Sequence, residues 1–353
     1  IRAEVLTLRG SAHAMTGNAT AALESFAQAR AADPRSPGPL LAEVPFIVRS
    51  GDTARAKLTA QTATQMAPGD FGAWYVLGTV LQATQEPVAA LAAYDRAIQL
   101  NAKHVDSLVG RAAVLMILKR EGEAEQILQR LKSDGVPEPR SSFMRGNLAA
   151  KRGDLALAKA EYNTATSLID SMPPGTRSAS EPLLLAGALS HRALGNLAKT
   201  REYLETLLSR NSRHTAGSML LASVLIELRE FSKATPLLDS LQRTLPNDPQ
   251  VLYMSGTALM GRGQYVQAAE LFERATARGG SSEALRELGL SQLSAGQSKV
   301  GLATLEQAFA KNPSDVRAGL QLAMTYLRAG QNAKAAKTAE QVAQRDPDSL
   351  DML

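Results

Sequence analysis

The chain has 353 residues, of which 44% are hydrophobic and only 4% aromatic, and its formal net charge is +5. It contains no cysteine, which excludes disulfides, thiolate metal sites and cysteine nucleophiles. Lysine and arginine are interspersed with acidic residues, so we interpret the basic balance as a solvated surface and expect no nucleic-acid partner. No apolar run reaches the length of a membrane span.

The first two predicted helices form a pair that returns every 34 residues. Pro34 and Pro68 each follow a second helix, because the residue before a proline is pushed out of helical geometry. The recurring pattern has a small residue in the first helix, a glycine at the turn and an alanine in the second helix. Aligning this pattern gives ten copies, which start near residues 3, 37, 71, 105, 139, 181, 215, 249, 282 and 316.

The residues within each copy predict how its two helices pack. In first helices a bulky residue precedes a small one, as in Leu77 and Gly78, which lets neighbouring backbones approach closely. In second helices a small residue is followed four positions later by a large one, as in Ala90 and Tyr94, so that both lie on one face. The turns join a glycine to a helix-capping Asn or Asp, as at 17–18. We therefore predict an all-α chain.

Three departures interrupt the repeat. Pro45 lies inside the first helix of the second copy and should kink it, which makes this copy irregular. Residues 171–180 add eight positions, for which a tolerated loop insertion is the preferred interpretation and a hinge or recognition loop the alternative. At 279–280, two glycines replace the usual proline and shorten the step by one residue.

The insertion divides the predicted array. Residues 1–170 contain copies one to five, and residues 181–347 contain copies six to ten. Residues 348–353 resemble the start of a further, truncated copy, and the chain begins at Ile1 already in a helical pattern. We therefore expect a segment of a longer protein, with any signal peptide or lipid anchor outside it.

These motifs resemble the tetratricopeptide repeat (TPR) pattern W-x2-L-G-x2-Y, A-x3-F, P over essentially the whole chain. The resemblance implies a right-handed α–α superhelix, a solenoid of about ten helix–turn–helix repeats that binds other macromolecules. The clearest copy contains Trp74, Leu77, Gly78, Leu81, Ala90, Tyr94 and Ala97.

No catalytic, metal-binding or cofactor-binding site is predicted. The four histidines fall in different copies, and no pair has metal-ligand spacing. His13 and His191 occupy the position where the TPR pattern has Tyr, so we predict that they pack in the core. His104 and His214 fall at turns between copies, so we predict that they are solvated. No phosphate-binding glycine loop or nucleophile elbow is present, and we expect neither an enzyme nor a cofactor.

By resemblance to TPR domains, the positions that line the concave groove of the first helices are rich in methionine. Methionine is flexible and recurs at surfaces that accept varied apolar ligands, so the stripe predicts a groove for an apolar or amphipathic partner segment. The alternative is that these side chains are core residues. The candidate groove residues are Tyr75, Met116, Phe143, Met144, Leu185, Met219, Tyr253, Met254, Met260 and Met324.

One familiar use of TPR domains is disfavoured. Domains that clamp a C-terminal carboxylate carry a groove lysine four positions before a groove asparagine. In this chain Phe143 stands four positions before Asn147. We therefore expect no chaperone-tail clamp.

A narrower resemblance covers residues 183–204, 256–275 and 284–308. These segments resemble the long TPR-repeat protein encoded with exosortase and PEP-CTERM exopolysaccharide systems of Gram-negative bacteria. The resemblance implies an exported, non-enzymatic scaffold, periplasmic or outer-membrane-associated, with partners in exopolysaccharide machinery. The alternatives are a cytoplasmic assembly or regulatory adaptor, which binds through its convex face or by self-association, and a groove that binds polysaccharide directly.

Overall fold

The computed structural model describes residues 2–345, and within that range every regular element is an α-helix. In chain order the helices are α1 (Arg2–Met15), α2 (Ala19–Ala32), α3 (Gly38–Ser50), α4 (Thr53–Met66), α5 (Phe71–Ala83), α6 (Pro87–Leu100), α7 (Val105–Ile117), α8 (Glu121–Ser133), α9 (Pro139–Lys151), α10 (Leu155–Asp170), α11 (Pro174–Ala179), α12 (Glu181–Ala193), α13 (Leu197–Arg210), α14 (Thr215–Glu227), α15 (Phe231–Thr244), α16 (Pro249–Gly261), α17 (Tyr265–Ala277), α18 (Ser282–Ser294), α19 (Ser298–Lys311), α20 (Val316–Arg328) and α21 (Asn332–Arg345).

The predicted register of ten copies is confirmed. Each copy contributes a first and a second helix, and every first helix starts within one residue of the position that the sequence predicts. The short α11 stands outside the pairs. Residues 348–353, where a further copy is expected to start, lie outside the described residues.

The turn inside each repeat is built as predicted. Gly51 has a φ of 88°, and Asp52 accepts a hydrogen bond from the Arg55 amide at 3.0 Å, which caps α4. The left-handed conformation suits glycine because it has no Cβ. Three turns place another residue there, with φ values between 58° and 61°: Gln85, Lys119 and Arg229.

Glycine and aromatic residues interlock the paired helices. A Cβ at Gly78 of α5 would lie 2.8 Å from the ring of Tyr94 on α6, closer than real Cβ contacts allow. The same ring would lie 2.6 Å from a Cβ at Gly110 on α7, in the next repeat. Gly146 and Tyr162 repeat the arrangement at 2.6 Å. The predicted pairing of small with large residues is confirmed, and it brings successive first helices side by side.

Buried charges also join helices in the N-terminal part. Glu43 of α3 is 2% exposed and pairs with Arg30 of α2 and Arg55 of α4. Glu161 of α10 is 4% exposed and accepts a hydrogen bond from Nη2 of Arg145 on α9 at 2.8 Å. A carboxylate at such depth requires paired donors, because desolvation opposes its charge.

The described residues fall into two compact units, which divide between Asn196 and Leu197. We call them unit one (N-terminal) and unit two (C-terminal). The insertion belongs to unit one, and it contains the six-residue α11 (Pro174–Ala179) where the sequence predicted a loop. His191 is 6% exposed, as expected for a packing residue, and its Nε2 lies 3.4 Å from Oδ2 of Asp170. Helix α3 runs through Pro45 to Ser50.

Candidate partner-binding surface

The ten predicted groove residues differ in accessibility. Met144 and Met254 are 7% and 5% exposed, so they lie in the packed core and offer little surface to a ligand. For these two, the core alternative describes the structure. Met324 is 45% exposed. The remaining seven are half-buried: Tyr75, Met116, Phe143, Leu185, Met219, Tyr253 and Met260.

The prediction that His104 and His214 are solvated is wrong, since both rings are half-buried at the start of a first helix. The ring of His104 lies 4.8 Å from that of Phe71 and 5.1 Å from that of Tyr75. Nδ1 of His214 accepts a hydrogen bond from the amide of Gly217 at 2.9 Å, which caps α14. Both histidines therefore hold first helices in place.

In unit one, Tyr75 of α5 forms an aromatic and charged cluster with neighbouring repeats. Its ring lies 6.3 Å from that of Tyr94. Arg140 of α9 donates from Nε to Oε1 of Glu138 at 2.7 Å and from Nη2 to Oδ1 of Asp106 at 2.6 Å. Burial, followed by the charge of Asp106, raises the pKa of Tyr75.

Unit two repeats this arrangement around Tyr253 of α16. Its ring lies 5.6 Å from that of Phe272. Arg286 of α18 donates from Nη1 to Oδ2 of Asp315 at 2.7 Å and from Nη2 to Oε1 of Glu287 at 3.0 Å. Burial, followed by the charge of Glu287, raises the pKa of Tyr253. In each unit an arginine near this part of the first helices is already engaged by two carboxylates.

Two first helices of unit two, α14 and α16, present a mostly uncharged surface. Helix α16 has no charged residue, and α14 has one, Glu227. On α20, Met324 and Leu327 are 45% and 58% exposed. We define the first-helix surface of unit two by five of the apolar side chains that reach solvent on α14, α16 and α20: Met219, Tyr253, Met260, Met324 and Leu327.

A cleft of about 670 Å³ lies elsewhere in unit one, between the second helices α6 and α8, and the first helix α7 also lines it. Aliphatic side chains, including Ile98, Leu108 and Ile127, form its apolar part. The ion pair of Arg111 with Asp95, 2.6 Å from Nε to Oδ1, lies at its edge. This volume falls in the range of ligand pockets, so the cleft is a second candidate surface.

Residues 2–345 contain neither a candidate metal-binding group nor a candidate membrane-spanning helix. In this part of the chain, no group of three or more His, Asp or Glu residues is arranged to hold a metal ion. None of its helices combines the length and the apolar character that crossing a bilayer requires.

Comparison with known proteins identifies the repeat. A family model described as tetratricopeptide repeat matches residues 191–256 and 292–352. A second model with the same description matches residues 48–103 and 253–299. The chain is a tetratricopeptide repeat protein. Repeats of this family imply a protein-interaction scaffold, as the sequence predicted.

Relatives of this TPR protein are distant. It is 25% identical over 197 residues to the DnaJ homolog subfamily C member 7 homolog of Dictyostelium discoideum, a match that covers 52% of this chain and 36% of that protein. The chain therefore spans about a third of the length of this curated relative.

Solved structures that are similar to this TPR protein have low sequence identity to it. MamA from Desulfovibrio magneticus RS-1 is 18% identical, with a TM-score of 0.44, over 48% of this chain and 96% of that one. The Cut9-Hcn1 hetero-tetramer of APC/C is 12% identical, with a TM-score of 0.48, over 98% of this chain and 94% of that one. Both likenesses are of fold alone.

Proposed function

We propose that this TPR protein is a non-enzymatic scaffold that binds an apolar or amphipathic segment of a partner protein on the first-helix surface of unit two. The observation that carries the proposal is the nearly uncharged stretch of α14 and α16, where Met219, Tyr253 and Met260 are half-exposed. Covering three such half-buried side chains contributes roughly 2–4 kcal/mol before entropy costs. Stable binding therefore needs contacts along several repeats.

The test uses the most exposed part of this surface. In a pull-down from envelope extract with the intact protein, Met324→Glu combined with Leu327→Glu should abolish partner capture, because neither charge has to enter the core. Val266→Glu is the matched control, since Val266 is 56% exposed on the second helix α17. Unchanged capture by the double variant would contradict the proposal.

We also propose that the protein works in the bacterial envelope, periplasmic or associated with the outer membrane, in exopolysaccharide secretion or PEP-CTERM protein export. The support for this proposal is the resemblance of residues 183–204, 256–275 and 284–308 to the TPR proteins of such systems. Fractionation of cells that express the full-length gene tests it. Recovery in the cytosol would favour a cytoplasmic assembly or regulatory adaptor.

The cleft between α6 and α8 favours the adaptor alternative, because second helices contribute most of its helical lining. If this cleft binds the partner, Ile127→Glu should abolish capture while the α20 double variant retains it. The reverse pattern supports the first-helix surface. The two assignments therefore give opposite results in one experiment.

A further inference from the structure

Three first helices of unit two, α14, α16 and α18, differ in charge from the chain as a whole. The whole chain carries a net charge of +5. Helices α14, α16 and α18 together carry three acidic residues, Glu227, Glu283 and Glu287, and one basic residue, Arg286. The Arg286 side chain is only 8% exposed. The charge that a ligand meets on these helices is therefore negative.

The guanidinium of Arg286 has little capacity left for a ligand. It donates from Nη1 to Asp315 at 2.7 Å, and from Nε and Nη2 to Oε1 of Glu287 at 3.2 Å and 3.0 Å. Because both of these hydrogen bonds go to Oε1 of Glu287, Oε2 of the same carboxylate can accept a hydrogen bond from another donor. Glu283 is exposed, and it lies four residues before Glu287 on the same face of α18.

These two carboxylates lie beside the apolar surface. Tyr253, which is part of the first-helix surface of unit two, packs against core clusters that contain Ala284 and Leu288 of α18. These two residues directly follow Glu283 and Glu287 in the chain. Among the described first helices of unit two, the basic residues other than Arg286 lie on α20, at Arg317 and Arg328, both exposed. The acidic pair next to Tyr253 is therefore the one on α18.

The next inference rests on the proposed function. We propose that the bound segment carries a lysine or arginine next to its apolar side chains, and that this cation lies between Glu283 and Glu287, against Tyr253. A purely apolar segment that covered Tyr253 would desolvate Glu287 without giving it a donor beyond Arg286, which is unfavourable. An acidic segment would add repulsion. A cationic side chain satisfies the carboxylates and can lie against the tyrosine ring.

The probe for this proposal is a phage-displayed library of random 12-residue peptides, selected on the intact protein at low salt. We expect enriched peptides to combine apolar residues with at least one Lys or Arg, and to lose binding to the Met324→Glu, Leu327→Glu double variant. Glu283→Lys should weaken these peptides about three- to tenfold, and added salt should reduce the difference. Glu270→Lys, an exposed change of the same charge on α17, should have no effect.

A second pair of changes keeps the test valid if Glu283→Lys disturbs the first turn of α18. Glu283→Gln removes the charge without reversing it, and replacing the peptide's lysine by norleucine removes the partner charge. If the two charges interact, the double change weakens binding by a smaller factor than the product of the factors for the two single changes.

The outcomes separate the inference from the proposed function. Peptides that need the first-helix surface but lack basic residues and ignore Glu283→Lys would overturn the inference alone. Selected peptides that bind the α20 double variant undiminished would overturn the proposed function, and the inference with it. Thermal unfolding of every variant checks that the fold is retained.

Discussion

The ring of Tyr94 occupies the space that a side chain at Gly78 would need, since a Cβ there would lie 2.8 Å from the ring. We expect Gly78→Ala to destabilise the protein by about 1–3 kcal/mol, because the buried ring cannot move without disturbing its neighbours. Gly122 of α8 is the matched control, since a Cβ there meets nothing within 4 Å. Gly122→Ala should stabilise by up to about 1 kcal/mol through helix propensity. Urea unfolding followed by circular dichroism measures both changes, and equal effects would contradict this packing.

Much of this fold could be predicted from the sequence because the same turn residues and helix-contact residues recur at the same positions in successive copies. Gly51 and Asp52 mark a turn, Gly78 and Tyr94 mark a helix contact, and the register fixes where each helix starts. The six-residue α11 has no counterpart in the other copies, so the repeat gave no signal for it.

The burial of His104 and His214 departs from the sequence prediction for a different reason, and only the His214 side chain caps its helix. His104 and His214 stand immediately before a first helix, where other copies have Asp70, Asp248 and Asp315 as caps. The register therefore contained a signal for their position. It did not reveal that the His104 ring lies against Phe71 and Tyr75, because that contact joins successive repeats.

The sequence predicted which side of the first helices carries the candidate surface, but not how exposed each of its side chains is. Periodicity places methionines on one side of the first helices, but it does not separate Met254, 5% exposed, from Met324, 45% exposed. That difference depends on how neighbouring repeats stack. The arginine clusters were missed as well, because Arg140 and Arg286 contact carboxylates in other copies.

Lys119 occupies a turn position that is glycine in most copies, with a φ of 60°. This conformation costs an L-residue roughly 1–2 kcal/mol, which a glycine would not incur. Glycine also has greater conformational freedom in the unfolded chain, and this offsets part of the stability gained by the substitution. We expect Lys119→Gly to stabilise the protein by about 0.5–1 kcal/mol. In the opposite direction, Gly153→Ala at the equivalent turn, where φ is 82°, should destabilise. Thermal unfolding tests both substitutions, and a lower Tm for Lys119→Gly would contradict the backbone strain that we assign to Lys119.

Glu161 accepts hydrogen bonds from Lys132 and Arg145, each at 2.8 Å from a side-chain nitrogen. Burial opposes the charge, but these hydrogen bonds outweigh it and lower the pKa of Glu161 below its ordinary value of 4.5. The folded state therefore gains stability above the unfolded pKa, and this gain is lost as the pH falls through the folded pKa. Glu161→Gln should cost about 3–5 kcal/mol at pH 7. Urea unfolding at pH 7 and pH 3 should show a smaller cost in acid, and a constant difference would rule out this linkage.

Met254 and Met324 allow the division between core and surface to be tested within one unit. Met254→Glu would bury a carboxylate at a site that is 5% exposed, so we expect a loss of stability above about 3 kcal/mol. Met324→Glu leaves its charge in water, because this side chain is 45% exposed, and should change stability by less than about 0.5 kcal/mol. Denaturant unfolding of the two variants gives the comparison. If Met324→Glu were as damaging as Met254→Glu, α20 would not present an open apolar side, and the first-helix surface of unit two would lose its most accessible part.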